Sequence, residues 1–154
     1  MTCRSSTRNN RLAAVAIIAT LAIVLSACAR HGPVNVVKAK ADALKAANQW
    51  IKLVDAGDYA KAWAATAPEF QKQVSKKEWI RGLDGYRKPM GKLLRRAVTQ
   101  EQYANKLSDS PASSFGDYVV VQYRSRFERK DSANETVLTM LRGGRWVVAG
   151  YFIN

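Results

Sequence analysis

Gly143-Gly144-Arg145-Trp146-Val147-Val148-Ala149-Gly150-Tyr151-Phe152-Ile153 is the stretch on which the fold turns. Two consecutive glycines between residues 135–142 and 145–153 suit a two-residue hairpin turn, which needs positive φ at both central positions. The run after them is apolar on both parities. That predicts a central strand covered on both sides, with Gly150 marking a bend or bulge. Upstream, 118–129 alternates. Val119, Val121, Tyr123 and Phe127 share one face, and Gln122, Arg124 and Arg126 take the other. Asp131 to Asn134 reads as the turn between these strands. Residues 92–102 form a further strand, with Leu94 and Val98 on one parity. Residues 105–115, rich in Ser, Asp and Pro, read as a loop.

Before residue 92 the period is helical. Val37, Ala41, Leu44, Ala47, Ile51 and Val54 recur three or four apart, and Trp50 widens the stripe, which predicts a helix over 37–55. Gly57 is placed to end it in the left-handed conformation. Asp58 reads as the N-cap of a second helix, 59–66, which Pro68 stops. Ser75-Lys76-Lys77-Glu78 is a capping box. Trp79, Leu83 and Tyr86 follow it on one side of a third helix that Pro89 ends. Helices first and strands second is an α+β order: three N-terminal helices packed on a curved antiparallel sheet of about four strands.

The 154 residues contain 25 Lys plus Arg against 12 Asp plus Glu, a net charge of +13. Such an excess suits an anionic neighbourhood: phospholipid or lipopolysaccharide head groups, acidic polymer, or an acidic envelope protein. Arg4, Arg8 and Arg11 precede an apolar run from Leu12 to Leu25, and small residues follow. These are the parts of an export signal, and the run is short for a membrane span of about 20 residues. Export sets nucleic acid aside as a partner. Cys3 lies in the signal, and no cysteine follows Cys28. A disulfide framework and a cysteine zinc site are therefore excluded from the domain. His31, the one histidine, falls in a linker without a partner ligand. No phosphate loop, HExxH or GxSxG pattern is present, so no metal or cofactor is expected.

Leu25-Ser26-Ala27-Cys28 resembles the lipobox of bacterial lipoproteins. The resemblance implies cleavage between Ala27 and Cys28 and a lipid on Cys28 that anchors the chain at the periplasmic side of the envelope. Residue 29 is Ala, not the Asp that commonly retains lipoproteins in the inner membrane, which favours the outer membrane. Gly57-Asp58-Tyr59-Ala60-Lys61-Ala62-Trp63 and the closing hairpin resemble the nuclear-transport-factor-2-like (cystatin-like α+β cone) superfamily. With Tyr86-Arg87-Lys88-Pro89-Met90-Gly91 and Arg95, the domain is similar to a group of short exported bacterial proteins catalogued as a domain of unknown function. The implied organisation is a signal peptide at 1–27, a lipidated tether at 28–36 and the α+β domain at 37–154.

The resemblance implies a ligand- or partner-binding module, and a homodimer through the sheet is compatible with it. Its alternative is a small isomerase- or dehydratase-like enzyme with an acid–base residue inside the cone. Asp84 and Tyr86 are then the candidates, with Asp58 and Tyr59 behind them. The domain has no histidine, which removes a His-centred dehydratase. Arg87, Lys88, Lys92, Arg95 and Arg96 form the densest basic cluster. Arg87, Lys88 and Arg95, with Arg124 and Arg126 on one side of a strand, are candidates for an anionic docking surface.

Overall fold

The computed structural model describes residues 34–107 and 115–154. Ala27, Cys28, His31 and most of the serine-rich loop lie outside the described residues. Among the described residues, four helices precede four strands: α1 (Val36–Asp55), α2 (Tyr59–Ala64), α3 (Pro68–Gln73), α4 (Lys76–Tyr86), a 3-10 turn (Lys88–Met90), β1 (Leu93–Lys106), β2 (Phe115–Phe127), β3 (Lys130–Arg142) and β4 (Arg145–Ile153). The strands form one antiparallel meander in the order β1-β2-β3-β4. The fold is α+β, and α1 packs across all four strands.

The helix ends follow local chemistry. Asn35 caps α1 by accepting the Lys38 amide at 3.0 Å, and Gly57 leaves it at φ +76°. The capping box of α4 is complete: Ser75 Oγ accepts from the Glu78 amide, and Glu78 Oε2 accepts from the Ser75 amide at 3.0 Å. Asp58 differs from expectation. Its side chain makes no capping bond to α2 and instead accepts from Lys61 Nζ at 2.9 Å. Pro68 does not merely stop a helix. It opens the additional helix α3 at the first helical position, where its missing N–H has no intrahelical partner to lose.

The buried face of α1 is rotated from the predicted stripe. Ala39, Ala43, Ala47, Trp50, Ile51 and Val54 are buried, whereas Val37 is 80% exposed and Ala41 lies in solvent. In its first half the alanines Ala39 and Ala43 make the contact and Val37 does not. Three tryptophans then tie the helices together through backbone carbonyls. Trp50 Nε1 donates to Ala62 O at 2.8 Å, Trp63 Nε1 to Val74 O at 2.9 Å, and Trp79 Nε1 to Tyr59 O at 2.9 Å. Trp50 and Trp79 are buried and Trp63 is half-buried, and each satisfies its N–H in the same placement.

In the sheet, β2 alternates as its sequence predicts: Val119, Val121, Tyr123 and Phe127 are buried, and Arg124 and Arg126 are exposed. The β3–β4 turn uses Gly143 at φ +55° and Gly144 at φ +76°. Two expectations are corrected. The β2–β3 turn falls at Glu128-Arg129, and Asp131 to Asn134 belong to β3. The α4–β1 connection holds that turn, since the Glu128 amide donates to Lys92 O and the Arg129 amide to Met90 O. β4 is not central but the last strand of the sheet. Thr66 and Ala67 pair along its edge, the Ala67 amide donating to Val148 O at 2.7 Å, and Phe152 on its outer face is 67% exposed. A bulge opposite Leu138 and Thr139 leaves Ala149 without a register partner, next to Gly150.

The rotated stripe gives a direct check. Ile51→Ala should cost about 2–5 kcal/mol, and Val37→Ala should stay within about 0.5 kcal/mol. Urea unfolding of the two variants measures both, and equal losses would contradict the described helix face.

Candidate functional site

Two features of this fold carry chemistry, a buried charged cluster and a cavity, and Tyr151 belongs to both. The cluster centres on Arg96 of β1. Pairing with Ser125 turns Arg96 to the helix side of the sheet, while its neighbour Arg95 pairs with Arg126 on the other side. Arg96 Nη1 and Nη2 donate to Asp55 Oδ2 and Oδ1 at 2.6 and 2.9 Å. Its Nε and Nη2 donate to Glu135 Oε2 and Oε1 at 2.8 and 3.0 Å. One planar guanidinium thus forks onto two carboxylates. Glu135 is fully buried. It also accepts from Ser125 Oγ and, at 2.6 Å, from the Tyr151 hydroxyl.

Arg87 closes the cluster. Its Nη2 donates to Asp55 Oδ1 at 3.0 Å, its Nη1 to Gly91 O at 2.7 Å, and its guanidinium lies 4.0 Å from the Phe127 ring centre. Two arginines and two carboxylates leave the cluster neutral. Burial alone would weaken the charge on Arg96. The hydrogen bonds and negative charge of Asp55 and Glu135 outweigh burial and push its pKa above the ordinary arginine value.

The cavity has a volume of about 710 Å3 and lies between α3–α4 and the β3–β4 end of the sheet. Phe70, Val74, Trp79 and Leu83 line it from the helices. Leu138, Met140, Tyr151 and Ile153 line it from the strands. Phe70 meets Trp79 edge-on with ring centres 5.5 Å apart, and Tyr151 meets Trp79 at 6.1 Å. The Tyr151 ring faces the cavity wall while its hydroxyl is spent on Glu135. The polar lining groups include Glu69, Gln73 and Glu78.

The residues singled out from the sequence scatter across these features. Tyr86 lines the cavity and is 73% exposed. Asp84 does not line it; it is exposed, meets Lys88 Nζ at 3.2 Å and borders shallow hollows with Ile80. Asp58 is also off the wall, and Tyr59 belongs to the core. Arg87 is corrected as a docking residue, since only 2% of it is exposed and its guanidinium is used inside. Lys88, Arg95, Arg124 and Arg126 are exposed. Glu135, Asp55, Ser125 and Tyr151 were not anticipated. A signal for Glu135 does exist: it shares the inward parity of Ala133, Val137 and Thr139, where an unpaired carboxylate would be intolerable.

Residues 46–151 match the profile of a family described as "Protein of unknown function (DUF4019)". The chain belongs to that family. No curated protein matches it. No helix among the described residues is long and apolar enough to cross a membrane.

Two phenols report on the interior. Burial pushes Tyr123 from 10.0 up to about 12. Burial, then the charge of Glu135 and the bond donated to it, push Tyr151 further up. Raised phenol pKa values contribute stability that is complete below pH 10. For Tyr123 it is lost between pH 10 and about 12, where the unfolded phenol ionises and the folded one does not, and for Tyr151 the loss continues to higher pH. The loss is roughly 1.4 kcal/mol per pH unit for each phenol. The tyrosinate absorbance of the native chain should therefore lag that of the urea-unfolded chain. The missing amplitude should appear only as near-ultraviolet circular dichroism is lost. Superimposed curves would contradict the burial of these hydroxyls.

Proposed function

We propose that this chain is an exported lipoprotein whose folded domain binds a small apolar ligand without transforming it. The observation that carries the reading is the cavity of about 710 Å3 with aliphatic and aromatic walls. Small-molecule sites span about 300–1,000 Å3 and are mostly apolar with few directed polar groups. The finer kinship to the nuclear-transport-factor-2-like cone belongs to the same proposal, supported by the helix-then-meander order and the α1 helix lying across the sheet.

The acid–base alternative has less support. Glu135 is the deeply buried carboxylate nearest to that role, and four donated hydrogen bonds from Arg96, Ser125 and Tyr151 occupy its two oxygens. A carboxylate so engaged has little capacity left to take a substrate proton. Asp84 is paired with Lys88 off the cavity wall.

The lipobox-like Leu25-Ser26-Ala27-Cys28 supports anchoring through lipid on Cys28 at the periplasmic side of the envelope. More than one acyl chain gives stable attachment where a single chain binds marginally. A second reading, docking of an anionic partner, is favoured by the outward face on which Arg95 and Arg126 are cross-strand neighbours beside Arg124.

Gly82 offers a clean test of the cavity. It lines the wall, and a Cβ built there meets nothing within 4 Å. Gly82→Trp should fill the space without costing the helix, since glycine is the poorer helix former. Full chain purified from native envelopes should yield a small apolar molecule by mass spectrometry. Gly82→Trp should lose that molecule and keep its unfolding midpoint. Cys28→Ala should leave the membrane fraction. Equal ligand recovery from Gly82→Trp would remove the cavity as the site, and unchanged membrane fractionation of Cys28→Ala would remove the anchor.

A further inference from the structure

The cavity's charge is opposite to that of the chain. Among the described residues, Glu69 and Glu78 are the charged side chains on its wall, and no lysine or arginine lines it. The whole sequence has 25 basic and 12 acidic residues, so a wall with only carboxylates runs against composition. Aromatic faces make up much of the rest, and ring faces attract cations electrostatically. Phe70, Trp79 and Tyr151 form a contiguous aromatic group on that wall.

Glu69 supplies an independent pointer. Arg142 Nη1 holds one of its oxygens, Oε1, at 2.6 Å. The other, Oε2, is buried and has no hydrogen-bond partner. An ionised carboxylate oxygen only accepts, and leaving it buried without a donor is costly. A cation lodged against Glu69 offsets that cost through its charge. Glu78 is less available, because Ser75 already occupies its Oε2 with both its amide and its hydroxyl.

We infer that the cavity selects a cationic amphiphile: an ammonium head held by Glu69 and the aromatic rings, on an apolar body lying along Val74, Leu83 and Ile153. This rests on the cavity being a ligand site. An anionic amphiphile of the same shape meets two carboxylates, one shared with Arg142 behind it, and no lysine or arginine on the wall.

The test uses three probes with one octyl chain each: octyltrimethylammonium, octyl sulfate and octanol. Equilibrium dialysis of the full chain at monomeric probe concentrations measures binding, scored as the part that Gly82→Trp abolishes. That scoring removes adsorption of sulfate to the basic surface. Octyltrimethylammonium should bind about tenfold tighter than octyl sulfate. Glu69→Gln should reduce that preference several-fold and leave octanol unchanged. Arg142→Gln, which frees Oε1, should increase it. Equal or tighter sulfate binding, or a preference untouched by Glu69→Gln, would overturn the cation inference and leave the cavity reading standing. Failure of all three probes to bind in the cavity would sink the cavity reading itself.

Discussion

Arg96 forking between Asp55 and Glu135 is the interaction on which the arrangement of this domain depends. Moving an ion out of water costs several kcal/mol even after relaxation, and Glu135 is completely buried. The fold tolerates it because every partner is in place at once. Asp55 comes from the end of α1, Arg87 follows α4, and Arg96 sits on β1. Ser125 comes from β2, Glu135 from β3 and Tyr151 from β4. Each strand contributes one member, and the long helix and the α4–β1 connection contribute the others. Slipping any strand by one residue would turn its member to the opposite face and strand a buried charge. The cluster therefore acts on register, which hydrophobic packing alone specifies less sharply.

The cavity inherits its shape from the same constraint. Tyr151 is held by its hydroxyl on Glu135, which presents its ring to Trp79 and Trp50. Trp79 is in turn fixed by its bond to Tyr59 O. Aromatic walls anchored from behind leave the space in front of them open, because their rotamers cannot swing in to close it. The charged groups of the cluster do not line that space, whose polar lining includes Glu69, Gln73 and Glu78. This division separates a structural polar interior from a binding surface within one small core.

What the sequence disclosed was local. The Ser75–Glu78 capping box, the glycine turn at Gly143-Gly144 and the alternation of β2 are each decided within a few residues, and the structure has them where expected. Long-range features were hidden. Arg96 lies 39 residues from Glu135 and 41 from Asp55, so the cluster could not be seen as spacing. Register shifts on either side of the 95–98 run disrupt the parity of β1. Leu94 and Val98, read on one parity, are 57% and 41% exposed, and Arg96 between them, read as part of a basic surface, points inward. The stripe of α1 was misread in its first half because valine outweighs alanine in any hydrophobic count, whereas close helix–sheet approach favours the alanine. β4 looked central because both of its parities are apolar, and composition does not distinguish a last strand that leaves Phe152 67% exposed from one covered on both faces.

A double-mutant cycle on Arg96 and Glu135 addresses the organising role of the charged cluster most directly. Arg96→Met, Glu135→Gln and the double variant are unfolded in urea against the parent chain. The account predicts that the losses do not add, with a coupling of about 1–3 kcal/mol, because each single change leaves a buried partner uncompensated that the double change removes. Losses that add to within about 0.5 kcal/mol would contradict it, and would mean that the sheet keeps its register by apolar packing alone.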